Sequence, residues 1–181
     1  MDQQEDRGYL RFPTVHGDRV VFSAEDDLWT VGIEGGVARR LTAGLGPASG
    51  PRFTPDGQTI VFVGHEEGES DLYSIPAEGG PVSRLTFMGG VAALAGFDRD
   101  GSPVAALTTK VPFPRLAELY RVPLDGSPAA SLGWGPGLAF ACGPGGGVVI
   151  GRKTQDPATW KRYRGGTAGE LWIDAAGTGT F

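Results

Sequence analysis

The side chains that commonly carry chemistry are scarce here: the chain holds two histidines and one cysteine in 181 residues. His16 and His65 lie far apart and form no zinc-ligand spacing. His65 opens an acidic stretch, Glu66-Glu67-Gly68-Glu69-Ser70-Asp71. Several carboxylates close together suit Ca²⁺, but this run lacks the alternation and glycine placement of a calcium loop, so it reads as a solvated loop. Gly146 to Thr154 is Gly-rich and ends in Lys153-Thr154, like a phosphate loop. Its spacing is wrong, however, and Val148-Val149-Ile150 reads as a strand. Gly46-Pro47-Ala48-Ser49-Gly50 puts serine one place late for a nucleophile elbow. Cys142 follows Leu138-Ala139-Phe140 and reads as a buried strand cysteine. No catalytic residue, metal or cofactor is expected.

One segment stands out chemically. Between Gly151 and Gly166 lie five cations, Arg152, Lys153, Lys161, Arg162 and Arg164, interleaved with Trp160 and Tyr163. Cations with aromatics suit stacking on single-stranded nucleic acid. A net charge of −5 and a pI near 5.0 argue against nucleic acid and against anionic membranes. Two readings remain: arginine packed on Trp or Tyr inside the fold, or a loop that contacts a neighbouring domain, subunit or peptide carboxylate.

The elements that position these residues repeat. Asp26-Asp27-Leu28-Trp29, Ser70-Asp71-Leu72-Tyr73, Ala117-Glu118-Leu119-Tyr120 and Gly169-Glu170-Leu171-Trp172 place leucines 44, 47 and 52 residues apart. Each copy follows a turn and an apolar run, as in Pro55-Asp56-Gly57 with Ile60-Val61-Phe62-Val63. A second turn and strand come after it, as in Gly79-Gly80 leading to Arg84-Leu85-Thr86. Gly accepts positive φ and Asp bonds its own backbone, so these dipeptides turn the chain between strands. A unit of strands recurring every 40–50 residues is the signature of β-propeller blades. The predicted fold is all-β, with four blades at about 8–42, 51–86, 92–132 and 137–181 after a disordered tail over residues 1–7. Gly and Pro make up about a quarter of the chain, but they recur at turn positions and so punctuate strands.

The last unit stops at Gly177-Thr178-Gly179-Thr180-Phe181, where its outer strand has barely begun. Blades bury each other's faces around a closed ring, so an open arc leaves apolar faces in water. The chain therefore reads as four blades of a longer, truncated propeller, expected to be hard to keep soluble in isolation. The start, Met1-Asp2-Gln3-Gln4-Glu5-Asp6-Arg7, has no apolar h-region, and a cytoplasmic location is expected.

Specific words in this sequence resemble a known family. Trp160-Lys161-Arg162-Tyr163-Arg164-Gly165-Gly166-Thr167 with Gly169-Glu170-Leu171-Trp172-Ile173 closely resembles the first propeller of the tricorn proteases. So do His16-Gly17-Asp18-Arg19, Ala95-Gly96-Phe97-Asp98 and Leu119-Tyr120-Arg121-Val122. The resemblance implies four of the six blades of an N-terminal propeller, in a large cytoplasmic serine peptidase that degrades oligopeptides released by the proteasome or similar proteases. It implies a homohexamer at full length, with the propeller filtering or channelling peptides and the catalytic residues in domains outside this chain. Members of the family can carry an Arg pair before Gly-Phe-Asp-x-Asp-Gly, suited to hold a peptide carboxylate. Here that loop is the uncharged Met88 to Leu94. A TolB-like propeller that binds a protein partner without catalysis is the alternative reading.

Overall fold

The computed structural model describes residues 9–44, 46–66, 68–90, 92–108, 117–152 and 169–181. Every regular element among them is a strand. β1 (Arg11–His16), β2 (Arg19–Ala24), β3 (Asp27–Gly32) and β4 (Arg39–Arg40) form one antiparallel sheet in sequence order. β5 (Ser49–Phe53), β6 (Thr59–Gly64), β7 (Asp71–Pro76) and β8 (Ser83–Arg84) form the next. β9 (Ala92–Phe97), β10 (Pro103–Leu107), β11 (Glu118–Arg121) and β12 (Ala130–Pro136) make the third. β13 (Ala139–Cys142), β14 (Val148–Arg152) and β15 (Glu170–Asp174) make a three-stranded fourth. This is a four-bladed arc of a β-propeller.

Alternation along the strands makes the arc. In β6 and β7 the cross-strand pairs Ile60 with Ile75 and Phe62 with Tyr73 face the first blade. Val63 and Leu72, one step out of phase, face the third together with Val61. A central blade needs both faces apolar, and successive strand residues point to opposite faces, so these strands read as unbroken apolar runs. Three inter-blade cores result: Val21 and Leu28 against Ile60 and Phe62, Val61 and Leu72 against Ala105 and Leu107, and Val104 and Leu119 against Phe140 and Ile150. Among the described residues, no blade lies against the two outer faces. Leu171 and Ile173 are 69% and 65% exposed on one, and Tyr9, Phe12 and Val15 are exposed at the other end of the arc.

The innermost strands of the first two blades share a kink. β1 shifts register between Arg11 and Thr14, and β5 shifts between Ser49 and Arg52. In β5 the bulge falls on Gly50, φ 57°, followed by Pro51; in β1 it falls on Phe12, φ 52°, followed by Pro13. A bulge of this kind wants glycine because a side chain is strained at positive φ. Phe12 keeps its ring there regardless.

Candidate functional site

The outer strands of the first two blades are only two residues long, and a side-chain brace holds each of them. The Asp27 carboxylate accepts from the Thr42 hydroxyl at 2.9 Å and from the Arg40 guanidinium, while the Leu28 amide donates to Thr42 Oγ1 at 2.9 Å. The second blade repeats it atom for atom: Thr86 Oγ1 to Asp71 Oδ1 at 2.5 Å, Arg84 Nη2 to Asp71 Oδ2 at 2.6 Å, and Leu72 N to Thr86 Oγ1 at 2.9 Å. A carboxylate that shares a buried hydroxyl and a guanidinium is satisfied on both oxygens, so it can lie inside the sheet. Asp71 is 2% exposed. This corrects the reading of residues 66–71 as one solvated loop. Asp71 opens β7 inside the brace, and the buried Ser70 hydroxyl donates to the Ala92 carbonyl at 3.0 Å.

The third blade has the wrong residues for a brace. Glu118, Ser131 and Gly133 stand where the second blade has Asp71, Arg84 and Thr86, and Glu118 accepts instead from the Tyr120 hydroxyl at 3.1 Å. Its outer strand β12 runs seven residues and pairs with β11 through the backbone. The braces escaped the sequence reading although a signal was present: Asp-Leu-aromatic is followed by Arg-Leu-Thr, with the arginine 13 residues after the aspartate in both copies.

Of the basic segment, Arg152 is described. It ends β14, pairs in register with Glu170, stacks over the Trp172 ring at 3.8 Å and donates to the Trp134 carbonyl at 2.8 Å. Arginine stacked on tryptophan within the fold is one of the two arrangements expected for this segment. Lys153, Trp160, Lys161, Arg162, Tyr163 and Arg164 lie outside the described residues. His16 ends β1 with its ring 5.7 Å from that of Phe53, a packing contact. Cys142 is partly buried at the end of β13, against the core between the third and fourth blades. Among the described residues, no three His, Cys, Asp or Glu side chains cluster as a metal site would need.

A cavity of about 430 Å³ opens between the third and fourth blades, with Trp134 and Phe140 on one side and Asp98, Asp100 and Arg121 on the other. Arg121 Nε donates to Asp98 Oδ2 at 2.5 Å and its terminal nitrogen to Asp100. Burial, and then hydrogen bonding with Asp100, raises the Asp98 carboxyl above its usual value despite Arg121. Hydrogen bonding from Asp98 holds Asp100 down at about 2. Two neighbouring carboxyl groups of unequal burial are pushed apart in this way, so that they lose their protons in separate steps. Both are engaged by Arg121, so the cluster is an internal clasp on the β9–β10 turn.

Comparison with known proteins agrees with this geometry. Residues 7–181 match the family model described as "Tricorn protease N-terminal beta propeller domain". Tricorn protease homolog 1 of Streptomyces coelicolor is 40% identical over 178 residues, covering 96% of this chain and 16% of that protein. The chain thus spans about a sixth of the length of such relatives. The crystal structure of the tricorn protease superposes with a TM-score of 0.82 at 35% identity, over 93% of this chain and 17% of that one. A TolB structure from Agrobacterium tumefaciens, 16% identical, superposes at 0.71 over 94% of this chain and 60% of that one, a likeness of fold alone. The chain belongs to the family of tricorn protease N-terminal β-propeller domains.

Proposed function

We propose that this chain is the N-terminal propeller portion of a tricorn-like serine peptidase, filtering or channelling oligopeptides and scaffolding the assembly while hydrolysis occurs in other domains. The observation that carries this reading is the family match over residues 7–181, joined to an arc that superposes on the tricorn protease with a TM-score of 0.82. The two uncovered blade faces suit further blades of the same polypeptide, which would close the ring around a passage lined by the innermost strands β1, β5, β9 and β13. In that setting the protein works in the cytoplasm as a homohexamer, on peptides released by the proteasome or similar proteases.

Fluorogenic oligopeptides offered to the purified chain and to the complete polypeptide test the division of labour. The complete polypeptide is expected to hydrolyse them and the chain is not. Turnover by the chain itself, persisting through further purification, would overturn the reading.

A further inference from the structure

The first and third junctions between blades are built differently at the same place. At the first, Arg19 and Arg39 of one blade reach Glu78 of the next: Arg19 Nη2 donates to Glu78 Oε1 at 2.5 Å and Arg39 Nη2 to the Glu78 carbonyl at 3.0 Å. Strand register puts Ser102 and Ala130 of the third blade where the first has Arg19 and Arg39. In the fourth blade Gly177, six residues after Leu171 as Glu78 is six after Leu72, stands in place of the glutamate. Three long polar side chains thus give way to three small residues, and the cavity of about 430 Å³ lies there, with Gly177 in its wall. No side chain fits back at position 177, because at φ 67° a Cβ would overlap the Gly146 carbonyl oxygen.

Aromatic rings border that space. Between the pairs Tyr120 with Ser131 and Glu118 with Pro136, β11 has one residue and β12 has four, so Leu132 to Gly135 bulge out of the sheet. Gly133 and Gly135, at φ 69° and 75°, permit the bulge, and Trp134 sits between them. Its ring stacks on Phe140 at 6.1 Å between centroids and meets Phe181 edge-on at 5.4 Å. Leu132 and Val148 extend this apolar side of the cavity. The other side carries Asp98 and Asp100 together with Arg99 and Arg121, two acids and two cations, so it offers no net charge. A lone cation or anion would meet a like charge beside each opposite one. A neutral hollow of this volume with aromatic walls suits an aromatic side chain, which can stack on the rings already there or meet them edge-on. Position adds a second argument. Cys142 ends β13 and Asp98 follows β9, two of the innermost strands, so the hollow lies beside the mouth of the proposed passage. It also lies between two blades that already pack on each other, away from both end faces of the arc.

We infer that the hollow between the third and fourth blades, walled by Trp134 and Phe140, receives a neutral aromatic side chain of an oligopeptide at the mouth of the propeller. The inference rests on the reading that this propeller handles oligopeptides.

Cys142 lines the hollow and is the only cysteine of the chain, so its alkylation by iodoacetamide reports occupancy at this place. Rates are compared on the 181-residue chain with N-acetylated, amidated Gly-Xaa-Gly peptides in which Xaa is Trp, Leu, Lys or Glu. At about 5 mM the Trp peptide is expected to slow alkylation about fivefold, the protection that a millimolar site gives. The Leu peptide is expected to protect only weakly, and the Lys and Glu peptides not at all. Trp134→Leu keeps an apolar side chain while removing the aromatic wall, and should bring protection by the Trp peptide down to that by the Leu peptide. Equal slowing by all four peptides, or slowing by none, would overturn the aromatic site without touching peptide passage, which is read from hydrolysis by the complete polypeptide. Strongest protection by the Lys or the Glu peptide would overturn the neutrality of the hollow. Undiminished protection in Trp134→Leu would overturn the role of Trp134. The peptide series on the unaltered chain decides the matter even where Trp134→Leu fails to fold.

Discussion

At the scale of single residues, the two braces differ in a way that sets their worth. Side chains of Arg84 and Asp71 are 21% and 3% exposed, whereas Arg40 is 50% exposed beside Asp27 at 9%. Solvent screens the first-blade pair more, and removing Asp71 strands a more deeply buried hydroxyl and guanidinium. Asp71→Ala should cost about 2–3 kcal/mol and Asp27→Ala about 1–2 kcal/mol, read from chemical denaturation. Equal losses would show that burial does not set the brace's value. The Asp98–Asp100 pair gives a pH prediction with opposed signs. Asp100, depressed to about 2, adds stability that is present above the ordinary carboxylate value of 3.8 and fades as pH falls toward 2. Asp98, raised above 3.8, adds stability that is present below that value and is lost as pH rises through its folded pKa. Carboxyl ¹³C titration should show Asp98 titrating above Asp100, and Arg121→Gln should raise both. Coincident titrations near 3.8 would break the clasp as described. None of this was legible in the sequence, because Arg121 meets Asp98 from 23 residues away and only the register of β10 with β9 and β11 joins them.

Whole strands were easier to read than their edges. The apolar runs Ile60–Val63 and Val148–Ile150 are strands, with Pro55-Asp56-Gly57 at a turn where Gly57 has φ 71°. These signals are local, so they survive without tertiary information. The outer strands were harder, because β4 and β8 are two residues long and depend on side chains more than on strand propensity. Asp71 was misplaced for the same reason: a buried, braced carboxylate looks like loop charge until its threonine and arginine partners are seen. Phe62 is fully buried between the first two blades, stacked with Tyr73 at a centroid distance of 5.7 Å. Phe62→Ala should therefore cost about 3–5 kcal/mol, while Val37→Ala, at a residue 96% exposed, should be near neutral. A comparable loss at both sites would mean that the inter-blade core does not hold the arc together.

Across the whole molecule, an arc of four blades presents apolar residues at both ends. The β15 edge carries Leu171 and Ile173, and nothing among the described residues pairs with its outer side. Exposed edges of this kind associate. Leu171→Thr with Ile173→Lys should reduce self-association of the isolated chain in sedimentation velocity, and an unchanged distribution would show that this edge is not the sticky surface. The four-blade count and the family were legible because blade words repeat and the propeller core is built from them. What the arc encloses was not, since an enclosed space is a property of a closed ring and not of one blade's words. Arg52, exposed on the innermost strand β5, gives a handle for testing the proposed passage. Arg52→Cys in a Cys142→Ala background of the complete polypeptide can be biotinylated and plugged with streptavidin. The decisive measurement is the rate of oligopeptide hydrolysis before and after the plug, with a dipeptide substrate as control. Loss of most oligopeptide hydrolysis with the dipeptide rate kept is the result predicted by peptide passage through this propeller; an unchanged oligopeptide rate would contradict it.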